Sequence, residues 1–314
     1  MIRVLAALLV LAVALPAQAQ QPAPTTSTPV PAPPPPLKAD KELTAVLERL
    51  RRGEVDSTRA DLDRLARAGK PGARELLDGF IALGIDGGRG DFAKACRRWE
   101  EGADRSAEAA HFTAECYQNG YGGAPKDAAR AAALYTRAGE GGYGKSWCAL
   151  GNLHRQGLGV SKDLGKAVAL CRKGADLGDP DAQTDLAGFY LRGEGVAKDP
   201  AAARSWYEKA AITGQKNAAF RLGQMAWTGE GAARDPAAAQ RWFKLAYDNG
   251  RRDAAGMLGR EAWARAVPTG GGVNPRALDE AIAWLELATA LNPPLEDRSE
   301  LESLLQRARL VRGD

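Results

Sequence analysis

Residues 181–214 read DAQTDLAGFYLRGEGVAKDPAAARSWYEKAAITG. From Asp181 to Arg192, the apolar positions Ala182, Leu186, Phe189 and Tyr190 follow the i, i+4, i+7, i+8 stripe of an amphipathic helix. Gly193 comes next, and glycine closes a last helical turn because it adopts the left-handed conformation at no steric cost. After the loop Gly193–Lys198, Asp199 is suited to cap a second helix. Pro200 fits its first position, where the missing N–H has no helical partner anyway. Ala203, Trp206, Tyr207, Ala210 and Ala211 give that helix its apolar side, and Gly214 ends it.

The same device recurs at a fixed step. Asp127, Asp163, Asp199 and Asp235 are 36 residues apart, as are Gly142, Gly178, Gly214 and Gly250. Ser146, Ala182, Ala218 and Ala254 keep that step, and so do Leu134, Leu170, Trp206 and Trp242. A period in this range predicts stacked helix pairs. The small column Ala131, Ala167, Ala203 and Ala239 lets neighbouring helices approach closely beside a large residue. The fold expected is therefore an all-α solenoid of about six helix pairs with degenerate ends.

The motif Leu186-Ala187, Tyr190, Gly193-Glu194-Gly195-Val196, Lys198-Asp199, Ala203, Trp206-Tyr207 and Lys209-Ala210-Ala211 resembles the Sel1-like repeat, a relative of the tetratricopeptide repeat. Leu150-Gly151, Gly157-Leu158-Gly159-Val160 and Lys162-Asp163 repeat it, as do Leu222-Gly223, Gly229-Glu230-Gly231, Arg234-Asp235 and Trp242-Phe243. The resemblance is strong over residues 108–252. It weakens in a first unit near 72–105, with a compressed Gly87–Asp91 loop, and in a sixth near 252–290, with an insertion at Pro268–Gly272. Residues 40–69 read as a further degenerate pair and 294–311 as a closing helix, because terminal repeats meet water on one side.

The N-terminus follows another logic. Arg3, the apolar run Val4–Leu15 and Ala17-Gln18-Ala19 form the pattern of a secretory signal peptide, residues 1–19, cleaved after Ala19. That run of 12 residues is shorter than the roughly 20 needed to span a bilayer, so the mature chain is expected to hold no membrane span. Residues 20–38 carry eight prolines and read as a disordered or semi-rigid linker, leaving 39–314 for the solenoid. The protein is expected to be secreted or periplasmic. Its formal charge of +4 falls to +3 without Arg3, and no basic run is interleaved with aromatics, so nucleic acid is not an expected partner.

An exported chain with four cysteines invites disulfides. In an antiparallel helix pair, residues equidistant from the turn face each other. Cys148 and Cys171 are symmetric about the Gly159-Val160 loop, and Cys96 and Cys116 about Ser106. These two pairings are expected. A Cys116–Cys148 bridge would join helices at unmatched heights, and four buried free thiols are the other alternative.

No catalytic constellation is apparent: there is no Ser-x-x-Lys, Gly-x-Ser-x-Gly, His-Glu-x-x-His or Cys-x-x-Cys. His111 and Cys116 fall on different faces of one helix, and the Gly-x-Gly loops lack a dinucleotide fingerprint. Arg89-Gly90-Asp91 spells an adhesion tripeptide, read here as coincidence in a repeat loop. No catalytic residue, metal site or cofactor is expected. The resemblance implies an adaptor whose concave face, lined by the first helix of each pair, receives another envelope protein or a peptide. Tyr117, His154, Tyr190, Trp227 and Trp263 are the candidate contacts there, with core packing as the alternative role. It also implies two alternatives: a peptidoglycan- or sugar-binding module, or a weak β-lactam-hydrolysing enzyme.

Overall fold

The computed structural model describes residues 39–51, 54–84, 90–291 and 294–313. The leader, residues 1–19, and the whole proline-rich linker, residues 20–38, lie outside the described residues. So does Arg89 of the tripeptide; its Asp91 caps a helix, accepting from the Lys94 N–H at 2.9 Å.

All regular structure among the described residues is helical. A leading pair, α1 (Lys41–Arg51) and α2 (Val55–Arg67), precedes six pairs of A and B helices. These are α3 (Ala73–Ala82) with α4 (Phe92–Gly102), α5 (Ala107–Asn119) with α6 (Ala128–Glu140), and α7 (Gly144–Gln156) with α8 (Leu164–Asp176). They continue as α9 (Pro180–Arg192) with α10 (Pro200–Ile212), α11 (Lys216–Thr228) with α12 (Pro236–Asp248), and α13 (Ala254–Ala266) with α14 (Pro275–Thr289). The closing helix is α15 (Arg298–Arg312). Each element packs on its sequence neighbour, and the A helices α7 and α9 also meet directly. This is the nearest-neighbour packing of a solenoid.

The aspartate column does two things at once. Asp127, Asp163, Asp199 and Asp235 each accept the N–H three residues ahead at 2.9 Å, so each B helix starts with a side-chain cap. Each also donates its own backbone N–H to a carbonyl near the end of the A helix, at Tyr117, His154, Tyr190 and Ala226, within 3.0 Å. The loop is thereby tied to both helices. Helix α9 begins one residue before the sequence predicted: Asp179 accepts from the Ala182 N–H at 2.7 Å and Pro180 takes the first position.

The core is built largely of alanine. Ala131, Ala167, Ala203 and Ala239 are fully buried, as are Ser146, Ala182, Ala218 and Ala254. Cys96 and Cys116 stand at disulfide distance with Cα atoms 5.9 Å apart, joining α4 to α5 across two repeats. Cys148 and Cys171 do the same at 4.0 Å, joining α7 to α8 within one.

Candidate partner-binding site

The five candidate contacts fall into two groups. Tyr117, His154 and Tyr190 are tied into the fold. The Tyr117 hydroxyl donates to Glu100 on α4 at 2.7 Å, and the Arg130 guanidinium lies 4.1 Å over its ring while donating to the same carboxylate oxygen. Burial and the adjacent Glu100 carboxylate push the Tyr117 hydroxyl above its ordinary pKa. His154 is buried, and its Nδ1–H donates to the Ser161 carbonyl at 2.9 Å, clamping its own loop. Tyr190 is half-buried, its hydroxyl bonded by Arg172 of α8. Both tyrosines therefore reach back to the preceding B helix and act as struts between repeats.

Trp227 and Trp263 behave differently. They stand at equivalent positions near the ends of α11 and α13, both half-buried, and they line one cleft of about 380 Å³. Its other walls are Arg260 and, from α15, Glu300, Ser303, Leu304 and Arg307. Arg234 lies 4.8 Å over the Trp227 ring and donates from Nε to the Trp227 carbonyl at 3.0 Å. Arg307 lies 5.4 Å over Trp263. Arg260 is engaged with Asp297 at 2.7 Å and with Glu300. The arginines could not be singled out in the sequence, since exposed arginines are scattered along every repeat; only the Trp–Trp step of 36 residues was a signal.

A second polar assembly lies where α5 meets its neighbours. Glu108, fully buried, accepts from the Asp40 N–H and the Thr44 hydroxyl at 3.0 Å and from the Ser106 hydroxyl at 2.8 Å. Burial pushes its carboxyl above the ordinary value, partly offset by these donors. His111, three residues on, bridges Ser146 of α7 (Nδ1 to Oγ, 2.9 Å) and Glu115 (Nε2 to Oε1, 3.2 Å). Hydroxyl, imidazole and carboxylate in a chain have the connectivity of a nucleophile relay. Ser146 and His111 are both fully buried, however, so this one welds A helix to A helix. Sequence reasoning missed it, although a serine in an otherwise alanine column was its signal. Among the described residues, no group of three or more His, Cys, Asp or Glu side chains is placed to hold a metal.

The Sel1 repeat model matches residues 107–143, 148–179, 180–212, 216–250 and 269–293, half of the chain. The chain belongs to the Sel1 repeat family. The Sel1 register extends past residue 252, because the last match covers α14 despite the insertion before it. A Sel1 repeat protein of Oxalobacter formigenes has a similar structure, with a TM-score of 0.59 and 25% identity over 78% of this chain and 98% of that one. A protective antigen of uropathogenic Escherichia coli superposes with a TM-score of 0.53 at 23% identity, over 87% of this chain. This chain spans only 61% of that antigen's length. No curated protein matches the sequence. Sel1 repeats are generally non-enzymatic scaffolds for protein–protein interaction, and no described helix is long and apolar enough to cross a membrane.

Proposed function

We propose that this Sel1 protein is an exported scaffold that holds a protein partner of the cell envelope on its A-helix face, at the C-terminal repeats. The observation that carries this reading is the pair Trp227 and Trp263. Successive A helices bring two half-exposed indoles into one cleft, and large, rigid aromatics are the side chains that anchor interfaces most often. Export rests on the sequence pattern of residues 1–19, and two cysteine pairs at disulfide distance fit an oxidising compartment.

Site-specific photocrosslinking in the native host tests the face. A crosslinker at Trp227 or Trp263 is expected to trap a discrete partner, with an equivalent probe at exposed Ala201 on α10 as the control. Crosslinks from the B-helix side or from residues 20–38 alone would move the site elsewhere. Sequencing of the mature N-terminus tests cleavage after Ala19.

A further inference from the structure

The Trp227–Trp263 cleft is electrostatically unbalanced. Of the cations around it, Arg260 is neutralised by Asp297 and Glu300, and the Glu300 carboxyl is held below its usual range by that guanidinium. Arg234 and Arg307 are different. Each is stacked against one of the two indoles, and no carboxylate among the described residues stands within ion-pair distance of either. Most other arginines on this part of the chain are paired: Arg265 with Glu261 and Glu280, Arg298 with Glu302, Arg309 with Glu286 and Arg312 with Asp279. Arg241, Arg252 and Arg276 also have no carboxylate partner among the described residues; Arg234 and Arg307 are set apart because they stack on the two cleft indoles, and Arg307 itself lines the cleft.

Stacking matters as much as charge. A guanidinium laid on an indole is held in a fixed plane, and its edge N–H groups stay available for bidentate bonding to a carboxylate. The Nε of Arg234 is already committed to the Trp227 carbonyl, which pins that head in place. The apolar part of the cleft wall is the two indoles and Leu304, and the paired Arg260 and Glu300, with Ser303, complete it. A cleft of about 380 Å³ is at the small end of binding pockets, matching one or two side chains and not an extended ligand.

We infer that the cleft receives an acidic peptide segment of the partner: an apolar side chain seated between Trp227, Trp263 and Leu304, with flanking carboxylates on Arg234 and Arg307. This rests on the partner-binding reading above and adds the chemistry of what is bound. Desolvation by the apolar side chain strengthens the flanking ion pairs, and the preset guanidinium planes lower the ordering cost of forming them.

The test is a selection from a random dodecapeptide library displayed on phage, against the purified full chain, followed by titration of the enriched peptides. Enriched sequences are expected to carry Asp or Glu on both sides of a Leu, Phe or Met. Arg307→Glu, at an exposed position of α15, is expected to weaken them about tenfold with an unchanged melting curve. Arg234→Gln is expected to weaken them less, and added salt to weaken wild type more than Arg307→Glu. Enrichment of neutral or basic peptides, acidic peptides insensitive to Arg307→Glu, or no enrichment at all would each overturn the inference. Should crosslinks from Trp227 still trap a partner, the scaffold reading stands and only the acidic assignment falls. If crosslinks fail as well, both fall.

Discussion

At the scale of single residues, Glu108 is the most consequential polar group in the described chain. Two of its three acceptor bonds go to Asp40 and Thr44, more than 60 residues away in sequence, so it fastens the start of the solenoid to α5. Glu108→Ala leaves one backbone and two hydroxyl donors without their acceptor and is expected to cost about 1–3 kcal/mol of unfolding free energy. Its pH dependence has a definite sign. The folded carboxyl binds its proton more tightly than the unfolded one, whose ordinary value is 4.5. Folding therefore takes up a proton between the two values, and this group's contribution is fully present below 4.5 and lost as pH rises through the folded pKa. Denaturant midpoints measured between neutral pH and 4.5 should show wild type gaining stability relative to Glu108→Gln as pH falls. Parallel curves would mean that the carboxyl titrates as an ordinary one. Nothing in the sequence marked Glu108, since a lone glutamate in the first turn of a helix is what dipole considerations alone would place there.

At the scale of elements, the Gly-x-Gly loop turns out to serve two neighbours. The first glycine of each loop closes its A helix, as its position predicts; Gly193 has φ +68°. The second is an inter-repeat contact. A Cβ on Gly159 would stand 2.3 Å from Ala128, and one on Gly195 2.4 Å from the Leu164 carbonyl oxygen, each at the first turn of the preceding B helix. Capping chemistry is local, so the aspartate and first-glycine columns were readable residue by residue. The second glycine carries no such local signal, because its partner lies in the previous repeat, about 31 residues back by sequence position. The same distance problem hid the cleft: Trp263 and Arg307 meet only because α15 folds back beside α13. A pair of substitutions separates backbone strain from crowding. Gly178 has φ +85° and open space where a Cβ would go, so Gly178→Ala is expected to cost about 1–2 kcal/mol, the strain alone. Gly195 has φ +72° and no room, so Gly195→Ala is expected to cost about 2–5 kcal/mol, strain plus overpacking. Equal losses in thermal or denaturant unfolding would remove the inter-repeat role.

At the scale of the whole molecule, a solenoid holds together through nearest-neighbour interfaces, so covalent links act on the repeats they join and only weakly on distant ones. Both cysteine pairs lie between α4 and α8, and none lies in the repeats that carry Trp227 and Trp263. The pairs close short segments, with separations of 20 and 23 residues, for which the chain-entropy model assigns about 3 kcal/mol each. The Cys96–Cys116 pair has the wider reach because it crosses from one repeat to the next, whereas Cys148–Cys171 braces a single hairpin of helices. Native, unreduced protein is expected to show no titratable thiol, and four thiols after denaturation and reduction. Amide exchange after reduction should then rise chiefly over α4 to α8, first across α4 and α5, while α11 to α14 keep most of their protection. Uniform loss of protection along the chain would show that the repeats unfold as one cooperative unit. In that case the cleft at the C-terminal repeats depends on oxidation too, and reduced protein should lose its crosslinks from Trp227 along with its N-terminal structure.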